Sequence, residues 1–218
     1  MSKRNIFLNK IGLITASFYI KLNGYRICQA ISAEERRQSF RLRWEVYLKA
    51  GYISPSDYPS KEIQDAYENQ SVIFMVCWHD KPVGTIRLTP IHSGSPVFEL
   101  FNIEEKLDES STMEIGRLAI LEEHRTKSRA ATFGLIWAAY TYSQQNGVHW
   151  WIGFAPHFLL RSFRPFVNYQ LLKTNSVTAN NLRARQQLPG YFDKYHNKLA
   201  AFKINVDEIK PWRWKKSK

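Results

Sequence analysis

The stretch that decides the fold reads M-E-I-G-R-L-A-I (Met113–Ile120), then a helical segment from Ser128 to Asn146 closed by Asn146-Gly147, then V-H-W-W-I-G-F (Val148–Phe154). The outer segments are rich in β-branched and aromatic residues, and the middle one stops at a glycine able to take the left-handed conformation that ends helices. Strand, helix and strand in this order form a βαβ unit. Its right-handed crossover requires the two strands to run parallel, with the helix on one face of the sheet. Glu114 and Arg117, three residues apart, would point to opposite faces of a regular strand. A bulge at Gly116 reconciles them, and it would splay this strand from its parallel neighbour and open a V-shaped slot between the two.

Upstream, Ser32 and Glu35 form an S-x-x-E capping box, and from Glu34 to about Leu48 the residues Phe40, Trp44, Tyr47 and Leu48 recur at helical spacing. Arg36, Phe40, Arg43 and Tyr47 share one face of that helix. Gly51–Ser60 is loop by its Pro, Gly and Ser content, and the acids Glu62 and Asp65 follow it. Ser71–Trp78 and Val83–Thr89 form a hairpin turning through His79-Asp80-Lys81-Pro82. On its second strand Arg87 faces away from Ile86 and Leu88, and an arginine there calls for a partner, either Glu114 or a loop acid. A helix over His157–Phe166 and a short strand over Tyr169–Leu172 follow the βαβ unit. With no repeat, low-complexity segment or linker, the sequence predicts one α+β domain over residues 25–218, a mixed central sheet flanked by helices. Residues 1–24 form an amphipathic, basic arm, read as packing on the domain, with a peripheral membrane contact through residues 3–22 as the other role.

At 218 residues and 44% hydrophobic positions the chain can bury a sizeable core, which excludes a disordered protein. Cys28 and Cys77 are too few for a disulfide framework, so the expected compartment is reducing and cytoplasmic. Cys77 with His79 lacks a third orienting group for nucleophilic catalysis, and His149 and His157 have no metal-ligand spacing, so no metal is expected. The net charge of +12 is segregated: +5 over residues 1–30, −4 over 31–120 and +11 over 121–218. That pattern points to an anionic partner for the basic ends.

Four pieces stand in register: R-L-R-W-E-V-Y (Arg41–Tyr47), E-I-Q-D (Glu62–Asp65), G-T-I-R-L (Gly84–Leu88) and M-E-I-G-R-L-A-I. In this order the chain resembles the branch of GNAT-fold acyltransferases that holds acyl-homoserine-lactone synthases and N-acyl amino acid synthases. The resemblance implies that the V-shaped slot admits the pantetheine arm of the acyl donor. It also implies that Arg43 belongs to the site entrance and pairs with a loop acid, for which Glu62 and Asp65 are the candidates; the family's usual D-x-x-D has Glu first here. Where acetyl-CoA-using relatives carry Q/R-x-x-G-x-G/A, this chain has Arg125-Thr126-Lys127-Ser128-Arg129-Ala130. Three cations, and a side chain where the first glycine would stand, suit a single phosphodiester on an acidic protein better than a buried pyrophosphate. Arg125, Lys127, Ser128 and Arg129 are therefore the candidates for docking an acyl carrier protein, whose acyl-phosphopantetheine is the donor. No permanently bound cofactor is expected.

Amide formation needs an amine stripped of its proton and donors for the tetrahedral oxyanion. Glu114, with Arg117 beside it, is the candidate to orient or deprotonate the amine. Pairing with Arg87 or Arg117 would make Glu114 a weak base and leave it an orienting role. Tyr47 and Arg87 complete the substrate side, and Trp150, Trp151, Phe154, Phe158 and Phe163 are candidate tunnel residues, with Trp151 and Phe154 foremost. The expected activity moves a fatty acyl chain from acyl carrier protein to an amino acid. The alternatives are a homoserine-lactone synthase using S-adenosylmethionine, in which Tyr52 would supply an aromatic residue the resemblance implies, and an acyl-CoA N-acyltransferase. A basic nucleic-acid-binding module stacking bases on Trp212 and Trp214 is disfavoured, because it leaves the acids at 62, 65 and 114 without a task.

Overall fold

The capping box forms as the sequence predicts: Ser32 Oγ accepts from the Glu35 N–H at 3.2 Å, and Glu35 Oε2 accepts from the Ser32 N–H at 2.8 Å. It starts α1 (Ala33–Lys49), which ends where Gly51 turns into the left-handed region at φ +71°. The computed structural model describes residues 19–126, 129–164, 167–177, 187–195 and 198–209. The arm up to residue 18, Lys127, Ser128, and Trp212 and Trp214 lie outside the described residues.

Before α1 comes β1 (Tyr25–Gln29), and after it β2 (Val72–Trp78) and β3 (Lys81–Pro90). The hairpin turn puts His79 at φ +46° and Asp80 at φ +62°, the two positive values that a two-residue turn matched to strand twist requires. Then follow α2 (Pro96–Leu100), β4 (Phe101–Ile103), β5 (Thr112–Ile120), α3 (Glu122–Thr126), α4 (Ala130–Gln145) and β6 (Trp150–Pro156). The chain continues through α5 (His157–Phe163), β7 (Gln170–Leu171), β8 (Thr174–Val177), α6 (Pro189–Tyr195) and β9 (Leu199–Asn205). Seven strands make one mixed sheet in the order β1-β2-β3-β5-β6-β9-β7, and β4 pairs β8 in a second, small sheet. The crossover through α4 joins β5 to β6 in parallel, as the βαβ reading requires.

The parallel ladder is short. It pairs Thr112 with Trp150, Met113 with Trp151 and Glu114 with Ile152, and goes no further. Beyond that point β6 stays paired on its other side with β9, as far as Pro156 opposite Leu199. On its own other side β5 stays with β3, but its register slips by one residue between Gly116 opposite Arg87 and Ala119 opposite Thr85. This is the bulge the sequence predicts, and its left-handed residue is Arg117, next to Gly116, at φ +53°. The extra residue turns β5 away from β6 and leaves the V open toward the end where β5 runs into α3 and α4.

Each strand face has its own cover. Ile86, Leu88, Met113 and Trp151 face α4 in one hydrophobic cluster. On the α1 side, Ile73, Met75 and Cys77 pack with Phe40, and Tyr47, Ile63, Val97, Leu100 and Ile152 form a separate cluster beside the V. Gly153 sits at the crotch, where a β-carbon would lie 2.7 Å from the Ile115 carbonyl oxygen and 3.0 Å from the Phe202 ring. Gly153→Ala should therefore cost about 1–3 kcal/mol, because neither backbone nor ring can yield without moving a strand. A lower urea midpoint at unchanged slope would register that loss.

Candidate active site

The α1-facing side of the sheet carries a buried ion-pair network beside the V. Arg43 donates from Nη1 to Glu68 Oε1 at 2.5 Å, and Arg87 donates from Nη1 to the same oxygen at 2.7 Å. Arg87 Nη1 also reaches Asp65 Oδ1 at 2.7 Å, while Arg117 Nη2 donates to Asp65 Oδ2 at 2.6 Å. The side chains of Arg43 and Asp65 are wholly buried, and those of Arg87, Glu68 and Arg117 are at most 9% exposed. Three guanidiniums and two carboxylates thus form one connected chain from α1 to the bulge. Buried charges persist only when paired, and each of these five side chains has at least one charged partner, while Arg43 Nε and Nη2, Arg87 Nε and Glu68 Oε2 stay buried without a hydrogen-bond partner among the described residues.

Local chemistry explains the geometry. Arg43 lies on the inward face of α1 with Phe40 and Tyr47, its guanidinium 5.4 Å from the Phe40 ring centroid. The Glu68–Gln70 turn is tied to α1 by Arg36, which donates to the carbonyls of Glu68 and Ser71. That tie holds the Glu68 carboxylate against the sheet. Asp65 is fixed by its own loop, its Oδ1 accepting the Tyr67 N–H at 2.9 Å.

Burial alone would raise the Asp65 pKa, but the Arg117 and Arg87 guanidiniums overcome it and hold the carboxyl well below the usual range. Glu114 behaves in the opposite way. It is buried, accepts the Val97 N–H at 2.8 Å, and makes no ion pair closer than 4 Å among the described residues. Burial therefore dominates and pushes its pKa up, offset only in part by Arg87, the Val97 N–H and Arg117. Gly116 leaves room beside it, since a β-carbon there would sit 3.3 Å from Glu114 Oε1. A carboxyl at the last paired rung of the V, with raised proton affinity, can exchange a proton with an incoming group.

The structure redistributes several expected contacts. Arg43 pairs with neither Glu62 nor Asp65; its partner is Glu68, which the sequence reading passed over. Glu62 lies on the rim, accepting from Arg41 Nε at 3.1 Å. The signal was present, because D-x-x-E at 65–68 repeats the spacing of E-x-x-D at 62–65. Arg87 finds its partners in the loop acids rather than in Glu114.

Trp151 pairs with Met113, faces α4, and donates from Nε1 to Ser143 Oγ at 2.9 Å. Phe154 is on the α1 side, 6.2 Å from the Phe101 ring. Phe163 packs in the α4-side core and Phe158 is exposed. Tyr47 is buried, 5.9 Å from the Tyr52 ring. Arg125 and Arg129 are exposed at the open end of the V, on either side of Lys127 and Ser128. Cys77 Sγ lies 3.9 Å from Cys28 Sγ, and His79 belongs to the hairpin turn.

The sequence model of the family described as N-acyl amino acid synthase FeeM matches residues 38–154, just over half of the chain, from α1 through the network to Phe154. The chain belongs to that family. It is accordingly an acyltransferase, with an acyl donor and an amino acid acceptor implied by the family. No curated protein matches in sequence. Among solved structures, the acyl-homoserine-lactone synthase LasI superposes with a TM-score of 0.59 at 14% identity, covering 87% of this chain and 93% of that one. The CoA-dependent lactone synthase BjaI, with SAM and isopentyl-CoA, gives 0.61 at 15%, covering 84% and 82%. FeeM itself, an N-acyl amino acid synthase from uncultured soil microbes, gives 0.53 at 12%, covering 84% and 92%. At these identities the superpositions establish a shared GNAT-like fold. Among the described residues no helix is long and apolar enough to cross a membrane.

Proposed function

We propose that this synthase takes its fatty acyl chain from acyl carrier protein and that Glu114 is the base of the reaction. The observation that carries the reading is the position of Glu114: a buried carboxyl without an ion pair among the described residues, on the last rung before β5 and β6 part. The pantetheine arm enters the V from its open end, and its thioester carbonyl meets backbone N–H groups that the broken ladder leaves available on β5 or β6. The amino acid enters on the α1 side, its carboxylate held by Arg117 and its ammonium beside Glu114. Glu114 takes one ammonium proton, the amine nitrogen attacks the thioester carbon, and the oxyanion collapses with cleavage of the C–S bond. Of the two protons then left on the nitrogen, one passes to the departing thiolate, which leaves as phosphopantetheine thiol, and the other stays on the amide. The exposed Arg125 and Arg129 at the mouth support an acidic carrier as donor.

Incubation with acyl carrier proteins and acyl-CoAs of several chain lengths, against a panel of amino acids and S-adenosylmethionine, tests this by mass spectrometry of the products. Acylated amino acid formed faster from carrier protein is the expected result. Acyl lactone as the main product, or equal rates from acyl-CoA, would overturn the acceptor or the donor assignment respectively. Arg125→Ala should raise the KM for the carrier protein about three- to ten-fold and leave kcat unchanged, as loss of a rim charge does.

A further inference from the structure

Arg117 has a second partner that the ion-pair network does not require. Its Nη2 donates not only to Asp65 but also, at 2.7 Å, to Oε1 of Gln187, a residue 70 positions along the chain. Gln187 is not left to find this position by side-chain rotation alone, because its backbone is pinned. The Tyr58 hydroxyl donates to the Gln187 carbonyl at 2.6 Å. Three residues on, the Gly190 N–H donates to the Tyr52 carbonyl at 3.0 Å. The chains approach so closely there that a β-carbon on Gly190 would lie 2.3 Å from the Gly51 carbonyl oxygen. The start of α6 is thus docked on the loop that follows α1, and it presents one neutral amide to the cation at the bulge.

The neutrality matters. Arg43, Arg87 and Arg117 are hydrogen-bonded to only two carboxylates, Asp65 and Glu68, so the ion-paired network carries one guanidinium charge in excess, which Glu114 meets only from beyond ion-pair distance. A third fixed carboxylate on Arg117 would cancel that excess; an amide oxygen fixes the guanidinium's direction without cancelling it.

We infer that Gln187 is a positioning and specificity residue: it aims the Arg117 guanidinium while preserving its charge for the carboxylate of the amino acid acceptor. The inference rests on the reading of Arg117 given above. It assigns to the C-terminal segment, beyond the part of the chain that the family model matches, the discrimination between an amino acid and a plain amine.

The test compares the best amino acid from the product screen with its decarboxylated amine, using wild type, Gln187→Glu and Gln187→Leu. Gln187→Glu keeps the oxygen and the hydrogen bond, so its Tm should match or exceed that of wild type. Its KM for the amino acid should rise at least about ten-fold relative to its KM for the amine, with the KM for the acyl donor unmoved, because both acceptors bring an ammonium and only the amino acid brings a carboxylate to Arg117. Gln187→Leu should lower the preference for amino acid over amine by a smaller factor, through a less well directed Arg117. An unchanged preference in Gln187→Glu, or an equal loss with both acceptors, would overturn the assignment.

Calorimetric binding of the amino acid, measured beside turnover, separates this inference from the transferase reading. Binding that Gln187→Glu weakens ten-fold in a protein making no amide keeps Gln187 and removes the reaction. Amide formation with an unchanged preference does the reverse. Neither binding nor turnover removes both.

Discussion

Glu114→Gln lowers kcat for amide formation by about 10²–10⁴-fold and leaves the protein folded. Glutamine has nearly the same volume, and its amide oxygen can still accept the Val97 N–H that Glu114 holds at 2.8 Å. What disappears is the site for a proton. On the proposed pairing of the pantetheine arm with the backbone of β5 and β6, the donor KM should stay within about two-fold, so the loss falls on kcat rather than on donor binding. Full activity in the variant would show that the amine loses its proton elsewhere.

The same variant has a stability signature that reports the burial of this carboxyl. Glu114 has a folded pKa above its unfolded one, because burial disfavours its charged form. Its contribution is therefore present below the unfolded pKa and is lost as pH rises through the raised folded value. Wild type should thus lose stability relative to Glu114→Gln as pH climbs above about 4.3, the ordinary Glu value. Thermal melts of the two proteins at pH 4 and pH 8 check the sign. Asp65 contributes oppositely: Arg117 and Arg87 depress its pKa against the effect of burial, so its stabilisation is present at neutral pH and fades only as acid protonates it.

Much of this architecture was legible because local rules sufficed. The capping box at Ser32, the hairpin through His79-Asp80 and the parallel strands around α4 each depend on residues close in sequence. The bulge was legible for a different reason: Glu114 and Arg117 could serve one site only if the strand's period broke between them. What escaped was whatever depends on distant chain. β9 enters the sheet beside β6 from some 50 residues away, and nothing in L-A-A-F-K-I-N announces that partner. Trp151 is a candidate tunnel residue by its type, and its pairing with Met113 puts it with the α4-facing residues, a consequence of parity that needs the register to be known. Gln187 carries no local signal at all.

The choice between Glu62 and Glu68 was a matter of burial rather than of spacing, and burial gives Glu68→Ala the largest expected effect on stability. One carboxylate oxygen takes hydrogen bonds from both Arg43 and Arg87, and all three side chains are at most 4% exposed. Their attraction offsets a desolvation cost, and once the acid is gone Arg43 keeps no carboxylate while Arg87 keeps only Asp65, so the variant retains two buried guanidiniums, one of them unpaired. Breaking a buried pair from one side costs about 3–5 kcal/mol, which for a chain of this size corresponds to a Tm lower by roughly 6–20 °C. Glu68→Gln should lose less, since its amide oxygen still accepts from both arginines although the charge is absent. Glu62→Ala, which removes rim pairs with the exposed Arg41 and Arg37, should move Tm by about 4 °C or less. Scanning calorimetry of the three variants reads this order directly. Equal losses at Glu62 and Glu68 would mean that the arginine of α1 is held by the outer acid after all, and the buried network would have to be redrawn around it.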